Sequence, residues 1–144
     1  MKLFITVLAL SLSVLATAQA DTFKQDTAAI EIKLETEMNK DPSTLGVNIA
    51  TDNARKLYDL LLNKYYKLCL SKLSTTHKSK LTAAQKAWLS FRDKEIELIG
   101  VSMDEKYTGG GSMWSNIATI KVYELTKKRA LDLYDHWQIL QGLM

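Results

Sequence analysis

Apolar residues recur every three or four positions along most of the 144-residue chain, which is the spacing of one buried helix face. No stretch of more than five residues alternates convincingly between apolar and polar residues in the way of a half-buried strand. The pattern predicts helices near 23–39 and 52–73, a third that ends near Met103, and a last one over 113–138. We therefore expect an all-α fold, an antiparallel bundle of three to four helices.

The first predicted helix, near 23–39, has one apolar face. That face consists of Phe23, Thr27, Ile30, Leu34 and Met38. The segment 30–34 also alternates as a strand would, and this alternative stays open. Turn-forming residues follow in 39–48, which contains a proline and a glycine, so the chain is expected to break there.

The second predicted helix, about 52–73, has the clearest amphipathic pattern. Its apolar stripe consists of Ala54, Leu57, Tyr58, Leu61, Tyr65 and Leu68. Asp52 is a suitable N-cap because its carboxylate accepts hydrogen bonds from the first turn. Residues 74–77 form either a short turn or part of a continuous helix.

A glycine-rich loop at 107–112 separates the last two predicted helices. Before it, the apolar stripe of the third helix consists of Leu81, Ala84, Trp88 and Phe91, with Ile96 and Ile99 beyond. Three consecutive glycines do not suit a helix, since each costs about 1 kcal/mol relative to alanine. Ser112 is expected to cap the last helix, whose broad apolar arc predicts contact with two neighbouring helices.

The N-terminus has the pattern of a secretory signal peptide. Lys2 precedes an apolar run, Leu3 to Ala16, and a small-residue segment ending at Ala20 follows. We expect cleavage after Ala20, a single domain over 21–144, and export to the periplasm or beyond. The apolar run is shorter than the roughly 20 residues of a membrane-spanning helix, so no stable span is expected, although a retained anchor is the alternative.

The charge of the chain is mild but uneven. The net charge is +3, or +2 without the predicted signal peptide, which is too small to indicate a nucleic-acid-binding protein. Residues 51–90 carry +6, whereas 21–50 carry −3 and 91–144 carry −1. The basic segment either packs against its acidic neighbours or binds an anionic surface.

Catalytic and cofactor-binding patterns are missing from the sequence. Cys69 is the single cysteine, which excludes an internal disulfide; it is expected to be buried, with a covalent dimer as the alternative. Cysteines and histidines do not occur at metal-ligand spacing. The glycine loop lacks the Lys-Ser/Thr ending of a nucleotide-binding loop. We expect no enzyme activity, no cofactor and no metal.

Two segments carry candidate chemistry for binding. Trp88 and Arg92 are one helical turn apart, so the guanidinium should lie over the indole. Asp93 is expected to pair with a base of the last helix, such as Lys127, Lys128 or Arg129. The cluster serves either helix packing or partner contact. The loop at 107–112 is either a hinge or a donor of backbone N–H groups to an anion.

Four segments in order resemble the lysozyme inhibitor LprI-type domain family. The first two are DLLLNKYY at 59–66 and LTAAQKAWLSFRD at 81–93. The other two are Tyr107 with Gly110-Gly111-Ser112, and LTKKRALDL at 125–133. Together they cover about 59–133, while 21–58 show little resemblance, which leaves the role of the first helix open.

The chain departs from the family pattern at an expected disulfide. Family members commonly have a cysteine where this chain has Ile96, and a partner cysteine near the position of Ile120 and Lys121. This chain lacks both cysteines of the expected disulfide. Packing of Ile96 is therefore expected to replace the bridge.

The resemblance implies an exported, non-enzymatic inhibitor of lysozyme, whose glycine loop would enter the cleft of the enzyme and block substrate. The partner-binding residues would be Trp88, Arg92, Asp93, Tyr107, Gly109, Gly110, Gly111, Ser112 and Arg129. The alternative function is a general cell-envelope binding or assembly module that uses the basic helix at 55–80. The class of lysozyme and the oligomeric state stay open.

Overall fold

The computed structural model describes the backbone of residues 3–142 and the side chains of residues 22–142. The helices are α1 (Leu3–Lys40), α2 (Thr44–Lys72), α3 (Thr75–Ser102), the short α4 (Glu105–Thr108) and α5 (Met113–Gln141). The described residues include no strand, so 30–34 is helical and the strand alternative is wrong. The predicted all-α bundle is confirmed.

The predicted signal peptide, residues 1–20, lies outside the residues whose side chains are described. Its cleavage after Ala20 stays a prediction. A bilayer-crossing helix, long and apolar enough to span the hydrocarbon layer, does not occur within the described residues.

Helix α2 begins earlier than the sequence pattern indicated. Its N-cap is Ser43, whose Oγ accepts a hydrogen bond from the backbone N–H of Gly46 at 3.1 Å. The prediction that Asp52 is the N-cap is therefore wrong. Asp52 lies inside α2, where its carboxylate pairs with Arg55 at 2.7 Å and Lys56 at 2.8 Å. Gly46 therefore lies in the first turn of α2 and does not end the helix, because Ser43 caps it.

Gly46 sits where the chain turns from α1 into α2, and we expect Gly46→Ala to destabilise the fold. A Cβ at this position would overlap the backbone carbonyl and the carboxyl group of Asp41. The expected loss is about 1–3 kcal/mol in the free energy of unfolding, measured by urea denaturation, because the turn must shift. Gly100→Ala is the matched control, since a Cβ there meets nothing within 4 Å. Equal stability of both variants would contradict the close approach at Gly46.

The two helices in closest contact, α2 and α5, run parallel. Thr44 donates a hydrogen bond to Ser112 at one end of the bundle, and Cys69 contacts the carbonyl of Leu133 toward the other. The long helices that follow one another in the chain run antiparallel. Because α3 runs back along the length of the bundle, α5 begins beside the start of α2. Helix α1 packs on this pair and completes the core.

The core consists of apolar and aromatic residues from α1, α2 and α5. The Phe23 ring stacks on Tyr134 at 3.8 Å between centroids and meets Tyr65 edge-on at 5.0 Å. Such aromatic pairs add to the stabilisation from their buried area. Phe23 and Ile30 of α1 are buried, which confirms the apolar face predicted for the first helix.

Helix α3 lies at the edge of the bundle. Only Gln85 and Ile99 are buried on it, and the face that they share turns toward α5. Phe91 is 54% exposed, so the expectation that it joins the core stripe is wrong. Ile96 is 37% exposed and lines a cleft of about 310 Å³ with Val122 of α5, and its replacement of the expected bridge stays a prediction.

Candidate partner-binding site

Trp88 of α3 is the centre of a cluster that joins α3 to α5. The guanidinium carbon of Arg92 lies 5.4 Å from the centroid of the Trp88 ring, which confirms the predicted stacking. Arg129 of α5 lies 5.8 Å from the same ring. The half-buried indole therefore contacts two cations, each of which a cation–π interaction stabilises by roughly 0.5–2 kcal/mol depending on its exposure.

Gln85 holds Arg129 in this cluster. Its side-chain oxygen accepts hydrogen bonds from Nε and Nη2 of Arg129 at 3.0 and 2.9 Å. Among the described side chains, no carboxylate lies within ion-pair distance of Arg129. Burial is the main cause that lowers the pKa of Arg129. The nearby Asp132 charge partly opposes this shift, but Gln85 is the hydrogen-bond acceptor of the guanidinium. A half-buried cation without a directly paired carboxylate is a favourable contact point for an anionic group.

Sequence reasoning gave Gln85 no role, although it is part of the segment that resembles the family. Gln85 lies three residues before Trp88 and seven before Arg92, and residues at these spacings share one face of a helix. This spacing could have identified Gln85 as part of the cluster.

Asp93 pairs with Arg92 of the cluster and not with α5. Its Oδ1 pairs with the guanidinium of the adjacent Arg92 at 2.7 Å, so the prediction that it pairs with a base of α5 is wrong. One residue along a helix turns the side chain by about 100°, which carries Asp93 off the face that meets α5. Its side chain is 61% exposed, and such surface pairs contribute little to stability.

The glycine loop has a defined backbone conformation. Gly109, Gly110 and Gly111 all have positive φ, at 75°, 84° and 113°. Only glycine adopts this region without strain in a run of three. The N–H of Gly110 also donates to the hydroxyl of Thr108 at 3.2 Å. The loop is therefore a shaped connection between α4 and α5.

Helix α4, which the sequence pattern did not predict, carries Tyr107 beside this loop. Asp104 caps it by accepting a hydrogen bond from the N–H of Lys106 at 2.8 Å. Tyr107 is 65% exposed, and the Lys106 ammonium lies 5.4 Å from its ring. An exposed aromatic side chain next to a shaped loop is a common arrangement at protein interfaces.

The start of α5 is tied to the start of α2. Ser112 occupies the N-cap position of α5, as predicted, but its side chain makes no capping hydrogen bond. The predicted capping hydrogen bond is therefore wrong. The Ser112 hydroxyl instead accepts a hydrogen bond from Thr44 at 3.1 Å. Asn48 donates to Ser115 at 2.7 Å, and the two contacts hold the loop against the end of the bundle.

The predicted site residues fall into two groups. Trp88, Arg92 and Arg129 lie together in the middle of α3 and α5, whereas residues 107–112 lie at the end of the bundle. Arg92 precedes the end of α3 at Ser102 by ten residues. That separation corresponds to about 15 Å along the helix axis. The two groups therefore lie on the same domain but do not form a single binding site.

A second polar cluster, which sequence reasoning missed, joins α1 to α2 and α5. Oε1 of Glu31 accepts hydrogen bonds from the hydroxyls of Tyr58 at 2.6 Å and Tyr123 at 2.8 Å, and from Lys127 at 2.8 Å. Its partners lie 27, 92 and 96 residues away in sequence, so no local pattern reveals them. Lys127 therefore pairs with α1 and is not the partner of Asp93.

The contacts of the Glu31 cluster shift the pKa values of its members. Burial is the largest influence on Glu31 and opposes its ionisation, but the hydrogen bonds from Lys127 and the two tyrosines outweigh it. The pKa of Glu31 therefore lies below its ordinary value. Burial, and then the contact with Glu31, raises the pKa of Tyr123 to about 12.

We expect acid to destabilise the protein through Glu31. Because the pKa of Glu31 is lowered in the folded state, its contribution to stability is present above the unfolded-state pKa, about 4.3. It is lost as the pH falls through the folded-state value. Glu31→Gln should therefore lose less stability than the wild type when urea denaturation is repeated at pH 7, 5 and 3.

Glu35→Gln is the control, since Glu35 is exposed one turn further along α1. It should keep the acid sensitivity of the wild type. If Glu31→Gln were as acid-sensitive as this control, the cluster would not account for the pH dependence.

Cys69 is buried, as expected. Burial raises the pKa of its thiol to about 11, so the reactive thiolate is scarce at neutral pH. Across the residues with described side chains, no group of three or more His, Cys, Asp or Glu could hold a metal ion.

Comparison with known proteins gives a family. Residues 35–133 match the family model described as lysozyme inhibitor LprI. A relative from Rhizobium meliloti (strain 1021), described as uncharacterized protein R02472, is 30% identical over 112 residues, which cover 69% of this chain and 77% of that protein. No solved structure matches the chain.

Proposed function

We propose that this chain, which belongs to the lysozyme inhibitor LprI family, inhibits lysozyme without enzymatic chemistry by covering the substrate cleft of its target. The family match over residues 35–133 is the observation that carries this proposal, since it spans α2, α3 and most of α5. A lysozyme-inhibitor-like function is what membership implies. The mechanism and the contact residues are our inference.

The glycine loop and Tyr107 are the proposed inhibitory element. Steric inhibition requires a segment that keeps its shape when it enters a cleft, because ordering a flexible loop on binding costs free energy. The positive φ angles at 109–111 and the hydrogen bonds from Thr44 and Asn48 support such a shape. The exposed ring of Tyr107 would supply the apolar contact.

The Trp88 cluster is proposed as a second contact point. Lysozymes cleave glycosidic bonds with two carboxyl groups in an open cleft. Arg129, which has no carboxylate within 4.0 Å among the described side chains, suits an acidic group near the rim of such a cleft. Asp93 would contribute at most a weak surface contact, because its charge is already paired with Arg92.

Export is part of the proposal. The predicted signal peptide at 1–20 would deliver residues 21–144 to the periplasm or beyond, where lysozyme is encountered. N-terminal sequencing of the protein from a periplasmic fraction should begin at Asp21. An uncut precursor in the cytosol would contradict export.

Competition tests whether the substrate cleft is the contact site. Lysozyme is bound to immobilised mature protein with and without a chito-oligosaccharide that fills the cleft. We expect the sugar to weaken binding in proportion to its occupancy of the cleft. Binding that is unaffected by saturating sugar would contradict steric occlusion and leave a contact elsewhere on the enzyme.

One observation favours the alternative, a cell-envelope binding or assembly module that uses the basic segment at 55–80. This segment is not one helix as expected, because α2 ends at Lys72 and α3 begins at Thr75. Arg55, Lys56 and Lys64 are ion-paired. The exposed lysines near the turn between α2 and α3 have no carboxylate within 4.0 Å among the described side chains. They are Lys67, Lys72, Lys78 and Lys80.

This alternative predicts salt-sensitive binding to anionic vesicles. Exposed charges are screened beyond about 10 Å at 0.1 M salt, so co-sedimentation with phosphatidylglycerol vesicles should fade as salt rises. Replacing Lys78 and Lys80 by glutamine should reduce it further, whereas Lys56→Gln should not. Absence of binding at low salt would remove this alternative.

A further inference from the structure

Helix α3 has a second regular stripe on the side that faces away from the bundle, and we name it the α3 seam. Its spacing is three, four, three, four and three residues, which is the heptad spacing of coiled-coil contacts. Its six members, all exposed, are Ala84, Ala87, Phe91, Lys94, Leu98 and Val101.

The large apolar members of the α3 seam are exposed within the described part of the chain, and Lys94 pairs with Glu97 of the same helix at 2.9 Å. Phe91, Leu98 and Val101 are 54%, 55% and 57% exposed, whereas Gln85 and Ile99, on the face toward α5, are buried. Three large apolar side chains exposed along one side of a helix, interrupted only by Lys94, mark an interaction surface more often than scattered single residues do.

The charges of α3 divide between its two halves. Residues 75–92 carry four basic and no acidic side chains, whereas 93–105, which run into α4, carry five acidic and one basic. Two copies of α3 placed side by side in parallel would bring like charges together. In an antiparallel pair, the basic half of each copy would lie along the acidic half of the other, which is favourable.

The side-chain sizes along the seam fit the same arrangement. A two-fold axis between Phe91 and Lys94 places Ala84 opposite Val101 and Ala87 opposite Leu98. A small residue then faces a large one at both of these levels, which helps two helices interdigitate. At the centre, Phe91 faces Lys94, whose ammonium suits an aromatic ring.

We propose that the α3 seam binds a second copy of this chain, forming a two-fold symmetric dimer through antiparallel α3 helices. The pattern of small and large residues and of opposite charge makes the surface complementary to itself. Trp88 lies beside the seam, three residues before Phe91, and its half-buried ring contacts Arg129 of α5, so the Trp88 cluster borders the dimer contact. The proposal does not depend on lysozyme inhibition.

Light scattering during size-exclusion chromatography tests the dimer on the mature protein. The wild type should have the mass of two chains at tens of micromolar, and Phe91→Glu combined with Leu98→Glu should have the mass of one. The matched control is Leu60→Glu, at a residue of α2 that is 66% exposed outside the seam; it should keep the dimer mass. A wild type of single-chain mass, or dimeric seam variants, would overturn the proposal.

Cysteine crosslinking tests the orientation. A mixture of Ala87→Cys and Leu98→Cys proteins should form a mixed disulfide dimer under mild oxidation, because these positions face each other in the antiparallel pair. Ala87→Cys alone should not, since its two copies would lie about 16 Å apart along the helices. Crosslinking of Ala87→Cys alone would indicate parallel pairing and contradict the proposal.

Lysozyme is the other possible occupant of the seam, and the same variants separate the two. If the wild type is a single chain and the seam variants lose lysozyme binding while remaining folded, the seam contacts lysozyme and the dimer proposal is wrong. If the seam variants become single chains but still bind lysozyme, the seam forms the dimer and lysozyme binds elsewhere.

Discussion

Phe23→Ala is expected to lower the free energy of unfolding by about 3–5 kcal/mol, the largest effect of any single substitution considered for this fold. Phe23 is 5% exposed, stacks on Tyr134 and meets Tyr65 edge-on. Its removal leaves a cavity among three helices. Since small domains have about 5–15 kcal/mol of stability in total, the variant should lose a large share of its stability.

Urea denaturation followed by circular dichroism measures this effect. Ile32→Ala on the same helix is the control, because Ile32 is 65% exposed and its loss should change stability by less than about 0.5 kcal/mol. The test matters because the family match begins at residue 35, after Phe23. Similar stability of the two variants would mean that α1 is not part of the core.

Gly110→Pro is expected to weaken lysozyme inhibition at least tenfold while the helices remain folded, given that lysozyme inhibition is the function. Gly110 has a φ of 84°, which proline, fixed near −65°, does not adopt. Proline also removes the N–H that donates to Thr108. Both changes reshape the loop between α4 and α5 without touching the core. Inhibition curves at fixed lysozyme concentration measure the loss.

Gly142→Pro is the matched control. Gly142 has a φ of 73° and donates its N–H to Ile139, so the substitution has the same conflicts at the opposite end of α5. It should leave inhibition unchanged. Equal loss in both variants, or in neither, would place the inhibitory surface away from the glycine loop. Tyr107→Ala should behave as Gly110→Pro does.

Local sequence patterns predicted much of the fold. The helical spacing of Phe23, Ile30 and Leu34, and of the α2 stripe, identified faces that are buried in the structure. The stacking of Arg92 on Trp88 was also predictable, because it depends only on a separation of one helical turn. Each of these features is set by residues close together in sequence.

Other features depend on which elements pack together. Phe91 follows the apolar spacing of α3, yet α3 meets α5 through another face, so the ring is exposed. The Glu31 cluster joins residues up to 96 positions apart, and Ser112 bonds to Thr44 instead of capping its own helix. Tertiary contacts decide these arrangements, and a single sequence does not encode them in any local pattern.

The most direct measurement of the central claim is the rate at which lysozyme clears a suspension of bacterial cell walls in the presence of the purified mature protein. The account predicts that the rate falls in a saturable way as the protein approaches and exceeds the lysozyme concentration, with lysozymes of different classes tested in parallel. A rate that stays unchanged for every class at large molar excess of folded protein would contradict it.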